Sequence, residues 1–287
     1  MTKKVEIPAQ SLQIPKPILI TAKFLEAISP KLATRFAAKL FTTPLKHKIP
    51  KRELEMNKNT MQQKFIIPSI KKAIVVYKYG ESQRKILLVH GWSGRGTQLA
   101  KIAEEFVDLG FQTVSFDAPA HGKAKGKTTL MPEFIASILE MDKQFGPFEF
   151  AIGHSLGAMA ILNAIKQNLK IKKAVIIGSG DSVQDIIDDF VYKLQLQYKY
   201  GTLLKNYFEK KNNASPESFS AYNAAKEVKI PVLIVHDEND YEIPVNAAFN
   251  IHKHLLQSKI IITKGLGHRK ILGNKKVIEN IRLFLLN

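Results

Sequence analysis

The sequence predicts an α/β fold, a mostly parallel sheet with helices on both faces, and three observations carry that reading. Strand-like and helix-like segments alternate from Ile86 to the C-terminus. Several strand-like segments, such as Ile86-Leu87-Leu88-Val89 and Ala174-Val175-Ile176-Ile177, are continuous apolar runs, the pattern of strands covered on both sides. One of them, Phe148 to Ile152, passes through Gly153-His154-Ser155-Leu156-Gly157 straight into the helix-forming run Ala158 to Ile165. In such a sheet ligands sit beyond the C-terminal strand ends.

Taken in order, residues 1–60 read as a basic N-terminal helical arm. After Pro30, a helical period places Leu32, Phe36, Ala37, Leu40 and Phe41 on one face and Lys31, Arg35 and Lys39 on another, and Pro44 stops it. Such a helix can dock its apolar stripe on the domain behind it or lie weakly on an anionic membrane surface. The polar stretch Lys46 to Lys58 reads as a linker. Phe65-Ile66-Ile67 and Ala73 to Tyr77, split by Pro68-Ser69, read as an antiparallel strand pair. From there the spacing gives strands at 86–89, 113–116, 148–152, 174–177, 232–235 and 259–262. Helices are expected at Thr97 to Leu109, Pro132 to Phe145, after Ser155, Pro244 to Leu256 and Lys276 to Leu285. Between Gly180 and Ile230 no strand appears, only a helical stretch rich in aromatic residues: Phe190, Tyr192, Tyr198, Tyr200, Tyr207, Phe208, Phe219 and Tyr222. We read about 181–228 as a cap inserted into a domain spanning 61–287, its aromatic residues serving mainly its own packing.

Composition narrows the function classes. With 287 residues and 45% hydrophobic content the chain can bury one substantial core. Its lack of cysteine excludes disulfides, thiolate catalysis and cysteine-ligated metals. The start, Met1-Thr2-Lys3-Lys4, lacks the apolar run and cleavage site of a signal peptide, and no run approaches the roughly 20 apolar residues that span a bilayer. A soluble, cytoplasmic protein is the expectation. Of the net charge of +18, 13 units lie before residue 86, where 18 Lys/Arg face 5 Asp/Glu. These lysines are scattered, without interleaved aromatic residues, so no nucleic-acid partner is expected.

The chemistry centres on Ser155. A strand, sharp turn and helix around G-x-S-x-G form a nucleophile elbow, in which the glycines leave room for a serine held in a strained conformation above a helix N-terminus. A serine hydroxyl near neutral pH needs a base within reach and a third group to orient that base. His154 sits on the elbow itself, so its side chain is expected to point elsewhere. His252 and His254 lie in a helix and His47 in the arm. His268, in Thr263-Lys264-Gly265-Leu266-Gly267-His268, follows the last strand, where a glycine loop can bring an imidazole over the sheet edge. The loop Val235-His236-Asp237-Glu238-Asn239-Asp240, after the preceding strand, offers two carboxylates, Asp237 and Asp240. His121 to Thr128 comes close to a phosphate-binding G-x-x-x-x-G-K-[ST] loop, but Gly122 stands one residue too late and follows a turn. The His252-Lys253-His254 pair points about 200° apart on a helix, unsuited to one metal ion.

In sequence order, His90-Gly91-Trp92, Asp117-Ala118-Pro119-Ala120-His121-Gly122, Gly153 to Gly157 and His236 to Pro244 with the Gly267-His268 loop resemble the motifs of the α/β-hydrolase superfamily, over roughly residues 64–287. The chain departs from that pattern at Asp237 and Ala120, where the family usually has glycine. The resemblance implies an α/β-hydrolase fold with a helical cap. It implies Ser155 as nucleophile, His268 as base and Asp240, favoured over Asp237 by its spacing, as acid. The backbone N–H groups of Trp92 and Leu156 would form the oxyanion hole. The implied activity is that of a serine hydrolase acting on carboxylic esters through an acyl-enzyme, without metal or cofactor, on a small acyl ester or thioester. A thioesterase, a lipase-like esterase or an acyltransferase shares that chemistry, and a non-catalytic binding protein with a basic arm is the reading from another class.

Overall fold

The computed structural model describes residues 14–287, so the extreme N-terminus, read above for a leader, lies outside it. Two helices, α1 (Lys16–Ile28) and α2 (Pro30–Phe41), come first, followed by a 3₁₀ turn at Lys51–Glu53 and the short α3 (Leu54–Asn59). Strands β1 (Met61–Ile67), β2 (Lys72–Tyr79) and β3 (Lys85–Val89) follow. Then come α4 (Ala100–Asp108), β4 (Gln112–Asp117), α5 (Met131–Phe145), β5 (Phe150–His154), α6 (Leu156–Lys166) and β6 (Lys173–Ile177). Helices α7 (Val183–Lys193), α8 (Lys199–Asn212) and α9 (Ala221–Ala225) separate β6 from β7 (Val232–Asp237). The chain closes with α10 (Asn246–His254), β8 (Ser258–Thr263), α11 (Gly267–Lys270) and α12 (Lys275–Leu286).

Eight strands form one sheet in the order β1-β2-β4-β3-β5-β6-β7-β8. The pairs β1/β2 and β2/β4 are antiparallel, and every later pair is parallel. The continuous apolar runs explain why both faces are covered. Along β3, Leu87 and Val89 enter a core shared with α5, α6, α9 and α10, while Ile86 and Leu88 enter the opposite core with α4 and α12. Strands β6 and β7 divide their side chains in the same way.

Differences from the sequence reading concentrate where tertiary partners act. Residues 46–58 are no free linker: Met56 is fully buried against α4 and Glu53 is 2% exposed. The helix expected from Thr97 begins only at Ala100, because Gly96 and Thr97 are held in a turn by Asp117 and Glu53. Helix α2 docks on α7 and α8 through most of the expected face, since Phe36, Ala37, Leu40 and Phe41 pack into that core. Ala33, Ala37 and Ala38 are buried against Ile187, Val191, Leu204 and Phe208, while Leu32 is 44% exposed. Phe41, at the end of α2, packs edge-on against Phe190 at 5.2 Å. Helix α1 has no counterpart in the sequence reading.

Met56→Ala tests whether residues 46–58 belong to the folded core. It is expected to lower unfolding free energy by about 2–4 kcal/mol, read as a lower urea midpoint at unchanged slope. An unchanged midpoint would mean that the segment is peripheral.

Candidate active site

Ser155 sits between β5 and α6 with φ 53° and ψ −119°, a left-handed conformation that costs a non-glycine residue about 1–3 kcal/mol. The surroundings hold it there. Its N–H donates to the Ile177 carbonyl at the end of β6 (2.9 Å), and its own carbonyl accepts from Ala158 (3.0 Å) and Met159 (3.2 Å) to begin α6. A β-carbon at Gly157 would stand 2.5 Å from the carbonyl oxygens of Val89 and His90. One at Gly91 would stand 2.9 Å from Cβ of Ser155, so the loop after β3 lies directly against the serine.

At the ends of β7 and β8 the structure brings Asp240 and His268 together. The His268 Nδ1–H donates to Asp240 Oδ2 at 2.6 Å, with both side chains almost fully buried. Asp240 is aimed by the backbone: its Oδ1 accepts from the N–H groups of Glu242 and Ile243, each at 2.9 Å. This contact fixes the imidazole tautomer and leaves Nε2 as the unengaged ring nitrogen. Asp237 does something else. Its carboxylate accepts from the Thr263 hydroxyl and from the N–H groups of Asn239, Leu266 and Gly267, so it braces the loop that carries His268. Burial alone would raise its pKa, but those hydrogen bonds outweigh it and hold the group below the usual carboxylate range.

Ser155 lies at the same sheet edge as this pair. Gly178, immediately after the carbonyl that Ser155 engages, would place a β-carbon 3.2 Å from Nδ1 of His268. Among the described residues the Ser155 hydroxyl makes no hydrogen bond. The Trp92 and Leu156 N–H groups, among the described residues, are likewise not taken up by another protein acceptor; at Leu156 this follows from its place as the first residue of α6. The Trp92 indole packs edge-on against His121 at 5.2 Å.

His154, expected to point elsewhere, and two residues that the sequence reading did not single out border the site. His154 points toward the site: its Nε2–H donates to the His268 carbonyl at 2.8 Å, and the two rings lie 4.5 Å apart. Glu242 Oε2 is 3.9 Å from His268 Nε2, and its other oxygen is 3.1 Å from the Arg269 guanidinium. Glu53, buried in the N-terminal segment, accepts from the Thr97 hydroxyl at 2.8 Å and faces Arg95 at 3.6 Å, anchoring the far end of the loop that carries Trp92. For His154 the signal was adjacency to Ser155; for Glu242 and Glu53 no local pattern pointed to the site.

The near end of that loop rests on buried neutral histidines. His90 donates from Nδ1 to the Gly91 carbonyl (2.7 Å) and accepts at Nε2 from Ala118 N–H (3.0 Å). His121 donates from Nδ1 to the Pro119 carbonyl (3.1 Å) and accepts at Nε2 from Ser93 N–H (3.1 Å). Either ring, if protonated, would turn an acceptor nitrogen into a donor facing a backbone N–H. Burial pushes His90 down to about 4 and lowers His121 and His154 as well. Asp117 is held by Gly96 N–H, Lys123 N–H and the Tyr77 hydroxyl, and its burial raises its pKa despite them.

Residues 80–215 match the family described as serine aminopeptidase, S33, and residues 210–287 match the family described as TAP-like protein. Among solved structures, an esterase from Exiguobacterium antarcticum superposes with a TM-score of 0.63 at 15% identity, covering 79% of this chain and 100% of that one. The Pyrococcus furiosus esterase PF2001 gives 0.64 at 14% identity, covering 85% and 97%. This chain belongs to the α/β-hydrolase superfamily. A thioesterase domain from the curacin biosynthetic pathway gives a TM-score of 0.59 at 14% identity, covering 79% and 99%. At such identities these structures share the fold of this α/β hydrolase and no more. No curated protein matches it in sequence. Among its described residues no helix is long and apolar enough to cross a membrane.

The histidine network predicts how stability follows pH. His90, His121 and His154 bind protons in the unfolded chain below its ordinary value of 6.5 but resist them in the folded one. Their contribution is therefore complete above pH 6.5 and is lost as pH falls toward 4, approaching about 1.4 kcal/mol per pH unit for each histidine. Urea midpoints are expected to fall between pH 7 and pH 5; a constant or rising midpoint would contradict the assignment.

Proposed function

We propose that this protein is a serine hydrolase that cleaves carboxylic esters through an acyl-enzyme. Ser155 attacks the acyl carbonyl, His268 Nε2 takes its proton, and Asp240 holds the tautomer and balances the imidazolium that forms. The N–H groups of Trp92 and Leu156 receive the oxyanion, a contribution commonly worth about 3–4 kcal/mol for one such donor. His268 then protonates the leaving group, and water repeats the sequence on the acyl-enzyme. Residues 181–228 serve as a cap on the domain formed by 61–287, with 1–60 as an appended arm. The observation that carries this reading is the buried 2.6 Å contact of His268 with Asp240 at the same sheet edge as a serine in the strained elbow conformation.

Hydrolysis of p-nitrophenyl acyl esters tests it. Ser155→Ala is expected to lower kcat by about 10⁶-fold and Asp240→Asn by about 10⁴-fold, and a fluorophosphonate probe is expected to label Ser155 alone. Full activity in the serine variant, or labelling elsewhere, would overturn the assignment.

The two acidic residues are also separable by experiment. Asp237→Asn is expected to keep kcat within about tenfold while lowering stability by about 1–3 kcal/mol, since it removes a brace and not the partner of the base. A loss in that variant as large as for Asp240→Asn would reassign the acid.

A further inference from the structure

Helix α1 is apolar on two opposite sides. Its inner side, with Ile18, Ala22 and Leu25, joins the core formed with α2, α7 and α8. Ile20 and Phe24 each lie two residues from Ala22, about 200° around the helix, and point the other way. They are 69% and 63% exposed, and Ile28, four residues on, is 57% exposed. Leu32, at the start of α2, adds a fourth large exposed side chain. A helix facing water carries polar residues on its outer side, and one that is apolar all round is normally covered. The stripe amounts to a few hundred Å², the scale at which an apolar patch marks a contact surface.

Charge points to what covers it. Residues 14–41 carry Lys16, Lys23, Lys31, Arg35 and Lys39, all exposed, against one acid, Glu26. That glutamate is already engaged by the Lys23 ammonium and by the Gln197 N–H, each at 2.9 Å. The latter bond ties the connection between α7 and α8 to the inner side of α1. Aliphatic and phenyl groups along a helix ridge, rimmed by cations, match the layering of a lipid surface, with acyl chains below and anionic headgroups above. A second copy of the chain fits poorly, since a two-fold contact through this face would set these cations against their own copies.

We propose that the outer face of α1 seats the protein on an anionic lipid surface. This is not the face of α2 that the sequence pattern suggested, which is spent on α7 and α8. The inference does not depend on the proposed chemistry, and ester hydrolysis in solution serves as its control.

Flotation of the full chain with vesicles tests the inference, using phosphatidylcholine alone and phosphatidylcholine mixed with phosphatidylglycerol. Binding to the mixed vesicles is expected, weakened by salt and absent or weak on phosphatidylcholine alone. Ile20→Glu with Phe24→Glu should lower the bound fraction at least about tenfold, with circular dichroism and soluble-ester activity unchanged; Phe24→Gln should give a smaller loss in the same direction. Failure of the unaltered chain to float overturns the proposal, as does equal flotation of the folded double variant. It is equally overturned if light scattering shows the double variant splitting a dimer while lipid binding stays unchanged, which would make the face a contact between copies.

Discussion

There is no room for a side chain where α6 meets the end of β3, and the candidate site is built around that lack of space. The backbone at Gly157 lies against the carbonyls of Val89 and His90, and Gly91 lies against the β-carbon of Ser155. This close approach brings three things to one point: the turn that strains Ser155, the N-terminus of α6, and the loop that carries Trp92. The strain at Ser155 is small beside the core that enforces it. Leu87 and Ala151 on the sheet and Ala158 and Ile161 on the helix bury it together. A well-packed interior has few alternatives of similar energy, so the strained residue has no relaxed arrangement to fall into.

The polar groups around the site divide into those that brace loops and those that, in the proposed mechanism, face the reacting position. Asp117, Asp237, His90 and His121 belong to the first kind, and their hydrogen bonds go mostly to backbone N–H and C=O groups of turns that would otherwise leave them unpaired. Asp240, His268 and Glu242 belong to the second. His154 joins the two sets, since it supports His268 through the backbone carbonyl and its ring lies alongside the imidazole. Buried carboxylates are stable here because each accepts several hydrogen bonds, and buried histidines because they remain neutral.

The N-terminal segment is tied into this arrangement at several points. Leu45 N–H donates to the Ser93 hydroxyl, Thr129 N–H donates to the Thr42 carbonyl, and Glu53 anchors Thr97. Helices α1 and α2 then lie on α7 and α8, the helices that follow β6, whose last carbonyl accepts from Ser155. The segment is thus both part of the fold's outer layer and a support for the loop carrying Trp92.

What the sequence determined by itself was whatever depends on local period and short motifs. Continuous apolar runs gave the buried strands, and the G-H-S-L-G turn gave the elbow. The loops after the last two strands gave two acids and one histidine, because their glycine and proline spacing marks chain ends at a sheet edge. Tertiary structure decided the rest. Asp237 and Asp240 are three residues apart and chemically identical; only the path of the histidine loop makes one a brace and the other a partner. Helix α2 packs most of its expected stripe, Phe36, Ala37, Leu40 and Phe41, but leaves Leu32 exposed and buries Ala33 and Ala38 beside it, a choice set by the helices it meets. Glu53 reaches Thr97 across 44 residues, and Glu242 faces His268 from a different loop. Such contacts arise from chain segments distant in sequence, and no periodicity records them.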